Sequence, residues 1–366
     1  MRKMALILLL CPLFFTACFA EELPERLGDL SGAYRAEQGL PEEVREISGG
    51  LRLDGSYDSE GALHRLWTRF LERAREQMSA SVRAAAEIFL LALLCAAAEC
   101  LCTAGEIREA IDRIACCTVS LFVSGSLTEM LAQASDTVSR LSEYSHAVLP
   151  VIFTTAAAEG RVLSASARYA SACLSMDVLI TASQNIILPL IYMYFALSVS
   201  QSLYENSVLH ATVNLSKRLA GGAMTVLTMA FGAYLTLTGL IAGSSDALAV
   251  KTAKTVLSRS LPIVGGLLSD SASILLAAAS LVKNSVGVFA MICVCALCIG
   301  PVAAFSLRLL VYRATAAAIA FLPEARLPKL IGAVGSVFGM LLGLIGCCAA
   351  MLFIAIVSGI KVVSPL

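Results

Sequence analysis

One carboxyl group, that of Asp270, lies inside an otherwise apolar stretch that runs from Ser260 to Gly287. An acid at the centre of a bilayer is costly unless it is protonated, hydrated or hydrogen-bonded, so it marks a functional site by default. At about 100° per residue, the small and polar residues gather beside Asp270, and most bulky aliphatic residues lie opposite. The candidate face comprises Pro262, Gly266, Ser269, Asp270, Ser273, Ser280 and Asn284.

Two interpretations of this face remain open. In the first, another helix packs closely against the small residues, and Asp270 is protonated or hydrogen-bonded. In the second, the face lines an aqueous path or couples transport to an ion. Lys283 does not decide between them, because it lies thirteen residues from Asp270, about 20 Å along a straight helix. We expect its ammonium group to reach the membrane interface instead.

A second set of candidate residues is a row of glycines near the C-terminus. Gly335, Gly339 and Gly343 recur every fourth residue within one apolar run. This doubled spacing of small residues allows two membrane helices to approach closely. We therefore predict a helix contact there, either within one chain or between subunits of a homo-oligomer.

Residues for enzyme chemistry are missing from the sequence. It contains no GxxxxGK[ST], HExxH or GxSxG motif, and its three histidines, His64, His146 and His210, are far apart. Most of the thirteen cysteines lie in apolar runs, where a free thiol acts as a small hydrophobe. We expect no enzyme activity, no cofactor and no metal. The net charge of zero favours no nucleic-acid partner.

The N-terminus has the pattern of an export signal. Arg2 and Lys3 precede an apolar core and small residues, which predicts a signal peptide over 1–20, cleaved after Ala20. A lipoprotein site at Cys18 and an uncleaved anchor are the alternatives. In each case residues 21–80, which are polar and partly amphipathic, are predicted to be exported. Leu63, Leu66, Trp67, Phe70 and Leu71 share helical spacing there, either covering membrane or bundle or docking a partner.

The remainder, 81–366, is predicted to be an all-α, polytopic membrane domain. The chain is 58% hydrophobic and only 15% charged, against about a quarter charged in soluble domains. Runs near twenty apolar residues can cross a bilayer as helices, and we expect seven to nine hydrophobic elements. The candidate runs are 84–104, 114–134, 147–158, 178–200, 219–243, 261–282, 284–306 and 332–360, with 307–322 as a further short or re-entrant piece.

Orientation follows from the signal peptide and the basic residues. If 21–80 is outside, counting each predicted run as one crossing places the loop 244–260 inside, with Lys251, Lys254 and Arg259. The same count places Arg308 and Arg313 inside. The signal peptide and the basic residues thus favour one orientation, provided that 147–158 crosses the membrane.

The C-terminal half resembles a known family. The stretches "KTAKTVLSRSLPIVGGLLSDSASILLAAASLVKNSVG" and "RLLVYRATAAAIAFLP", together with the glycine-rich last run, are similar to stage III sporulation protein AE. A signal peptide, an exported polar segment and a multispanning remainder also match that family. The similarity is clearest over 250–360 and weaker over 50–250.

The resemblance implies a component of a transenvelope channel in endospore-forming bacteria. Members of the family are expected in the mother-cell membrane around the forespore, with other proteins of the same operon, including a secretion-type ATPase, and with a forespore membrane partner. Such a channel supports forespore development and late forespore gene expression. The family suggests no catalytic residues. A stand-alone secondary transporter that uses Asp270 and a purely structural assembly platform are the alternatives.

Overall fold

The computed structural model describes Val44, Glu46 and residues 59–101, 105–158, 162–204, 206–260, 265–321 and 326–360. Within these ranges, side chains are described outside 59–60, 99–100, 155–165, 235–285 and 360. The predicted signal peptide and most of the predicted exported segment therefore lie outside the described residues. So do Pro262 and the side chains of the rest of the candidate face.

The described residues form helices almost throughout, and no strand occurs among them. The helices are α1 (Ser59–Leu101), α2 (Gly105–Ala158), α3 (Val162–Ala182), α4 (Leu188–Leu203), α5 (Ser207–Ser260), α6 (Gly265–Ile319) and α7 (Arg326–Ile360). A π-helical turn, Ser183–Ile187, joins α3 to α4. This irregular turn stands just before Pro189, which has no N–H to donate within the helix.

Five helical stretches of the described part are long and apolar enough to cross a membrane. They are Gly61–Ala98, Gly105–Thr154, Ser166–Leu203, Val286–Ile319 and Arg326–Gly359. The prediction of an all-α, polytopic membrane protein is thereby confirmed.

The helices are longer than the predicted spans, because several predicted loops are helical. The runs 114–134 and 147–158 belong to α2, which has 54 residues, and 284–306 belongs to α6, which has 55. The predicted loop 244–260 is the last part of α5. The predictions of breaks at these places were wrong. Neither 135–146 nor 244–260 contains a glycine or proline, so a polar surface was mistaken for a helix end.

Contacts between side chains fix the relative direction of the helices. Arg313 lies beside Gly335 and Leu309 beside Gly339, so α6 and α7 are antiparallel. Lys217 contacts Ser336 and Thr228 contacts Cys347, so α5 and α7 are parallel. We call end A the end where α1, α4 and α6 finish and α2, α5 and α7 begin, and end B the opposite end.

This direction overturns one step of the orientation argument. Residues 244–260 lie on α5 toward end B, whereas Arg308 and Arg313 lie on α6 toward end A. The sequence count placed both groups on the same side, because it treated 261–282 and 284–306 as two crossings. A single continuous helix reverses that parity.

The core is built around α7, which packs against α6, α2, α4, α5 and α3. Its large side chains, such as Phe338, Leu341 and Leu352, are fully buried. The stretch of α6 from Val286 to Phe305 is also mostly buried. Much of the apolar character of these two helices therefore fills the protein interior, where close packing of side chains holds membrane helices together.

The amphipathic part of α1 covers this core with one face. Ala62 and Leu66 are buried in it, while Trp67 and Leu71 are 61% and 50% exposed. Trp67 stacks on Phe70 with ring centroids 5.9 Å apart. The segment continues without interruption into the first apolar run, so it does not form a separate surface helix.

Candidate functional site

The candidate face around Asp270 lies on the first half of α6. Gly266, Ser269, Asp270, Ser273 and Ser280 all fall within its continuous helical backbone, as does Asn284. Because the helix is continuous, the residues whose spacing predicts a shared side of the helix do lie on one side of its backbone. What that side contacts stays a prediction, because its side chains are outside the described residues.

The three glycines of α7 face two neighbouring helices of the same chain. A Cβ atom on Gly335 would lie 3.4 Å from the Arg313 side chain, and one on Gly339 would lie 3.6 Å from Leu309. The corresponding position on Gly343 is 3.7 Å from Met224 of α5. The glycine row therefore lies at an intramolecular contact, where α6 and α5 approach the backbone of α7.

A polar cleft of about 290 Å³ opens between α1, α2 and α6. From α1 and α2 it takes charged and amide side chains, and from α6 it takes a short apolar segment around a glycine and a proline. Its lining includes Arg69, Arg73, Gln77, Gln133, Asp136, Thr137, Arg140, Leu297, Gly300 and Pro301. The cleft brings polar groups from two helices against one of the most apolar parts of the chain, and this juxtaposition makes it the candidate functional site.

The charges at this cleft are balanced by ion pairs at its mouth. Arg140 Nε lies 2.8 Å from Asp136 Oδ2, and Arg69 lies 2.9 Å from Glu46. Arg73 lies 3.4 Å from Glu76. These side chains are about half exposed, so water reaches the pairs, and each contributes little to stability. The cleft therefore combines charges of both signs and has no strong net preference for anions or cations.

Pro301 adds a backbone group to the cleft. Within a helix, proline has no N–H for the carbonyl four residues earlier, and its ring crowds that carbonyl. The carbonyl in question belongs to Leu297, and both residues line the cleft. A Cβ on the adjacent Gly300 would meet nothing within 4 Å, so there is open space beside this part of α6. The site thus offers hydrogen-bond acceptors and room for water or a small polar solute.

Three basic side chains cross between helices inside the bundle. Arg168 of α3 donates to Ser358 of α7, at 2.9 Å to the carbonyl and 3.0 Å to Oγ. Arg308 of α6 donates to Ser126 Oγ of α2 and lies over the Phe338 ring. Lys217 Nζ is 3.1 Å from Ser336 Oγ. Sequence reasoning used Arg308 only for orientation and did not pick out the other two. The signal that could have identified them is a single basic residue beside or within an apolar run.

Comparison with known proteins now supplies the family. A family model described as stage III sporulation protein AE matches residues 55–362. The chain belongs to this family. The match begins just before α1 and ends just after α7, so it includes the cleft, the glycine row and the candidate face.

The match to an individual stage III sporulation protein AE is narrower. The relative of that name from Bacillus subtilis (strain 168) is 25% identical over 166 residues, 44% of this chain and 42% of the relative. The aligned part spans less than half the length of that protein. No solved structure matches the chain. Family membership and the apolar helices together establish a sporulation protein of the membrane.

Proposed function

We propose that this chain is a membrane component of a transenvelope channel between mother cell and forespore, which supports forespore development and late forespore gene expression. In this proposal the chain lies in the mother-cell membrane around the forespore, and its N-terminal segment lies outside the mother-cell cytoplasm. Its partners are other proteins of the same operon, including a secretion-type ATPase, and a forespore membrane protein.

The observation that supports this proposal is the polar cleft between α1, α2 and α6. In a membrane protein, charged and amide side chains beside an apolar helix need water or partners, because unpaired polar groups in hydrocarbon are costly. The cleft provides both ion pairs and open space of about 290 Å³. A hydrated cleft of this kind is a suitable part of a path for polar solutes.

Filling the cleft without disturbing the core tests the proposal. Gly300 lines the cleft, and a Cβ there meets nothing within 4 Å, so Gly300→Phe can place a ring in the open space. The matched control is Gly125→Phe, since Gly125 has equally open surroundings and does not line the cleft. We expect Gly300→Phe to lower spore yield at least tenfold at normal protein abundance, and Gly125→Phe to have little effect.

Two results would count against the proposal. Normal spore yield with Gly300→Phe would show that the cleft is not part of a required path. Affinity purification of the full chain from sporulating cells should recover the secretion-type ATPase and a forespore membrane protein. If neither is recovered from wild-type cells after crosslinking, the channel assembly is rejected, even if the chain is required for sporulation.

A further inference from the structure

Two cations, Lys217 of α5 and Arg313 of α6, flank adjacent residues of α7. Lys217 Nζ contacts Ser336 Oγ at 3.1 Å and lies 5.8 Å from the centre of the Tyr194 ring. The Cβ position of Gly335 lies 3.4 Å from Arg313 Cγ. The two cations are close enough for Arg313 to act electrostatically on Lys217. The fold thus holds two like charges together on either side of α7.

This pair has no acidic partner in the part of the chain that the structure describes. Other bases in that part, such as Arg113, Arg140 and Arg326, form ion pairs with acids. No ion pair joins Lys217 or Arg313 to any Asp or Glu among the described residues. Like charges repel, and the half-buried Lys217 has no acidic counter-ion, while Arg313 beside it is exposed, so an anion from outside the chain would stabilise the arrangement.

The depth of the pair indicates where that anion comes from. Lys217 lies just before the apolar run 219–243, at the end-A side of α5. Arg313 is six residues, or about 9 Å, from the end of α6. Both positions are near the end-A edge of the apolar stretches, where lipid phosphates meet the hydrocarbon region.

The surroundings leave space for a headgroup and apolar surface for its chains. A Cβ on Gly332, one turn from Ser336 toward end A, would meet nothing within 4 Å. Leu310, one turn from Arg313 and on the same side of α6, is 65% exposed. The polar groups therefore lie nearer end A and the apolar surface lies nearer the membrane interior, as do the phosphate and the chains of a phospholipid.

The geometry points to a binding site for the phosphate group of an acidic phospholipid in the end-A leaflet, held by Arg313 and by Lys217, which contacts the Ser336 hydroxyl. Basic positions between membrane helices are the usual way in which a protein recognises acidic headgroups. This inference does not depend on the channel proposal, because it concerns a different part of the bundle from the cleft.

The test uses the full purified chain in nanodiscs, with phosphatidylcholine alone or mixed with phosphatidylglycerol. Wild type is compared with Lys217→Gln, Arg313→Gln and the double variant, and Arg218→Gln is the matched control, because Arg218 is an exposed neighbouring base. Retained phosphatidylglycerol is counted by native mass spectrometry, and the Tm is measured in both lipids. We expect each single variant to bind the acidic lipid about fivefold more weakly, and Arg218→Gln to bind as wild type.

Measurements in phosphatidylcholine alone distinguish a lipid-binding role of the two cations from a structural role. If the two cations bind a lipid, the double variant should be as stable as wild type in phosphatidylcholine, since it lacks their mutual repulsion. It should also lose most of the increase in Tm that phosphatidylglycerol gives to wild type. A lower Tm of the double variant in phosphatidylcholine would overturn the inference and make the cations structural partners of Ser336 and Tyr194. An equal loss of binding with Arg218→Gln would overturn it in favour of general attraction to a negative surface.

A soluble source of phosphate is tested in a separate arm. Inorganic phosphate is compared with chloride at equal ionic strength, in phosphatidylcholine nanodiscs. We expect no rise in Tm that distinguishes wild type from the double variant. A rise confined to wild type would show that the site takes a free phosphate group, and the lipid assignment would be wrong.

Discussion

At the scale of single residues, the polar groups that hold the helices together are few and widely separated in sequence. Arg168 and Ser358 are 190 positions apart, and Lys217 and Ser336 are 119 apart. The sequence shows that such bases are unusual in or beside an apolar run, but it does not show which hydroxyl lies opposite. The glycine spacing, in contrast, indicated a close contact before its neighbours were known.

Among the glycines whose surroundings the structure describes, Gly359 is the one at which added volume should be least tolerated. A Cβ there would lie 2.5 Å from Ile152 Cγ2 and 3.5 Å from the Phe153 ring, and Ile152 is fully buried. We expect Gly359→Ala to destabilise the protein by about 1–3 kcal/mol through overpacking. Gly125→Ala, which meets nothing within 4 Å, should be neutral or slightly stabilising. Thermal scans of both variants in one detergent measure the difference, and equal Tm values would contradict it.

Asp270→Asn separates the two interpretations of the candidate face. Asparagine keeps the shape and the hydrogen bonding of a protonated acid, so a packing role predicts normal spore yield. A role in an ion path requires charge or proton exchange, so it predicts loss of spores at normal protein abundance. We expect the packing result, since neither the sequence motifs nor the family suggests a paired base. Spore counts with immunoblots of the same cultures decide between them.

At the scale of helices, the hydropathy pattern predicted the fold class correctly but placed several helix ends wrongly. The segment 135–146 of α2 is rich in polar residues, yet it remains helical, and Asp136 and Arg140 stabilise it as a pair four residues apart. A fall in hydropathy therefore reflected exposure of one face. Gly105 and Pro323 lie close to boundaries found, whereas Pro150 and Pro301 lie inside helices, so neither hydropathy nor a single proline fixed the ends.

Pro301 offers a test of the cleft at the level of one helix. Pro301→Ala restores an N–H for the Leu297 carbonyl, and removing an internal proline stabilises a helix by up to about 3 kcal/mol. We expect a higher Tm together with a lower spore yield, because the carbonyl is withdrawn from the cleft. Pro150→Ala in α2 is the control, since Pro150 lies within a helix and does not line the cleft. A normal spore yield with Pro301→Ala would show that the free carbonyl has no role.

At the scale of the whole molecule, successive helices alternate in direction, except that α4 continues the direction of α3, and α7 packs against α2, α3, α4, α5 and α6. The run of contacts from Arg326 with Glu109 at end A to Gly359 with Ile152 near end B shows that α2 follows α7 along its whole length. Bases lie toward both ends, because Lys251, Lys254 and Arg259 lie toward end B and Arg113, Arg313 and Arg326 lie toward end A. Positive residues therefore do not choose the cytoplasmic side by themselves, and the proposed export of the N-terminal segment is what puts end B outside.

This arrangement makes a prediction about sidedness that differs from the sequence count. In a version without its thirteen cysteines, single probes replace His64 on α1, Thr255 on α5 and Glu106 on α2. His64 and Thr255 lie toward end B and Glu106 lies at end A, so with end B outside an impermeant thiol reagent should reach the first two in intact cells. It should reach Glu106→Cys only after the cells are opened. If Thr255→Cys instead reacts together with Glu106→Cys, an additional crossing lies between residues 106 and 255, as in the count that treats 114–134 and 147–158 separately, and α2 is not one continuous span.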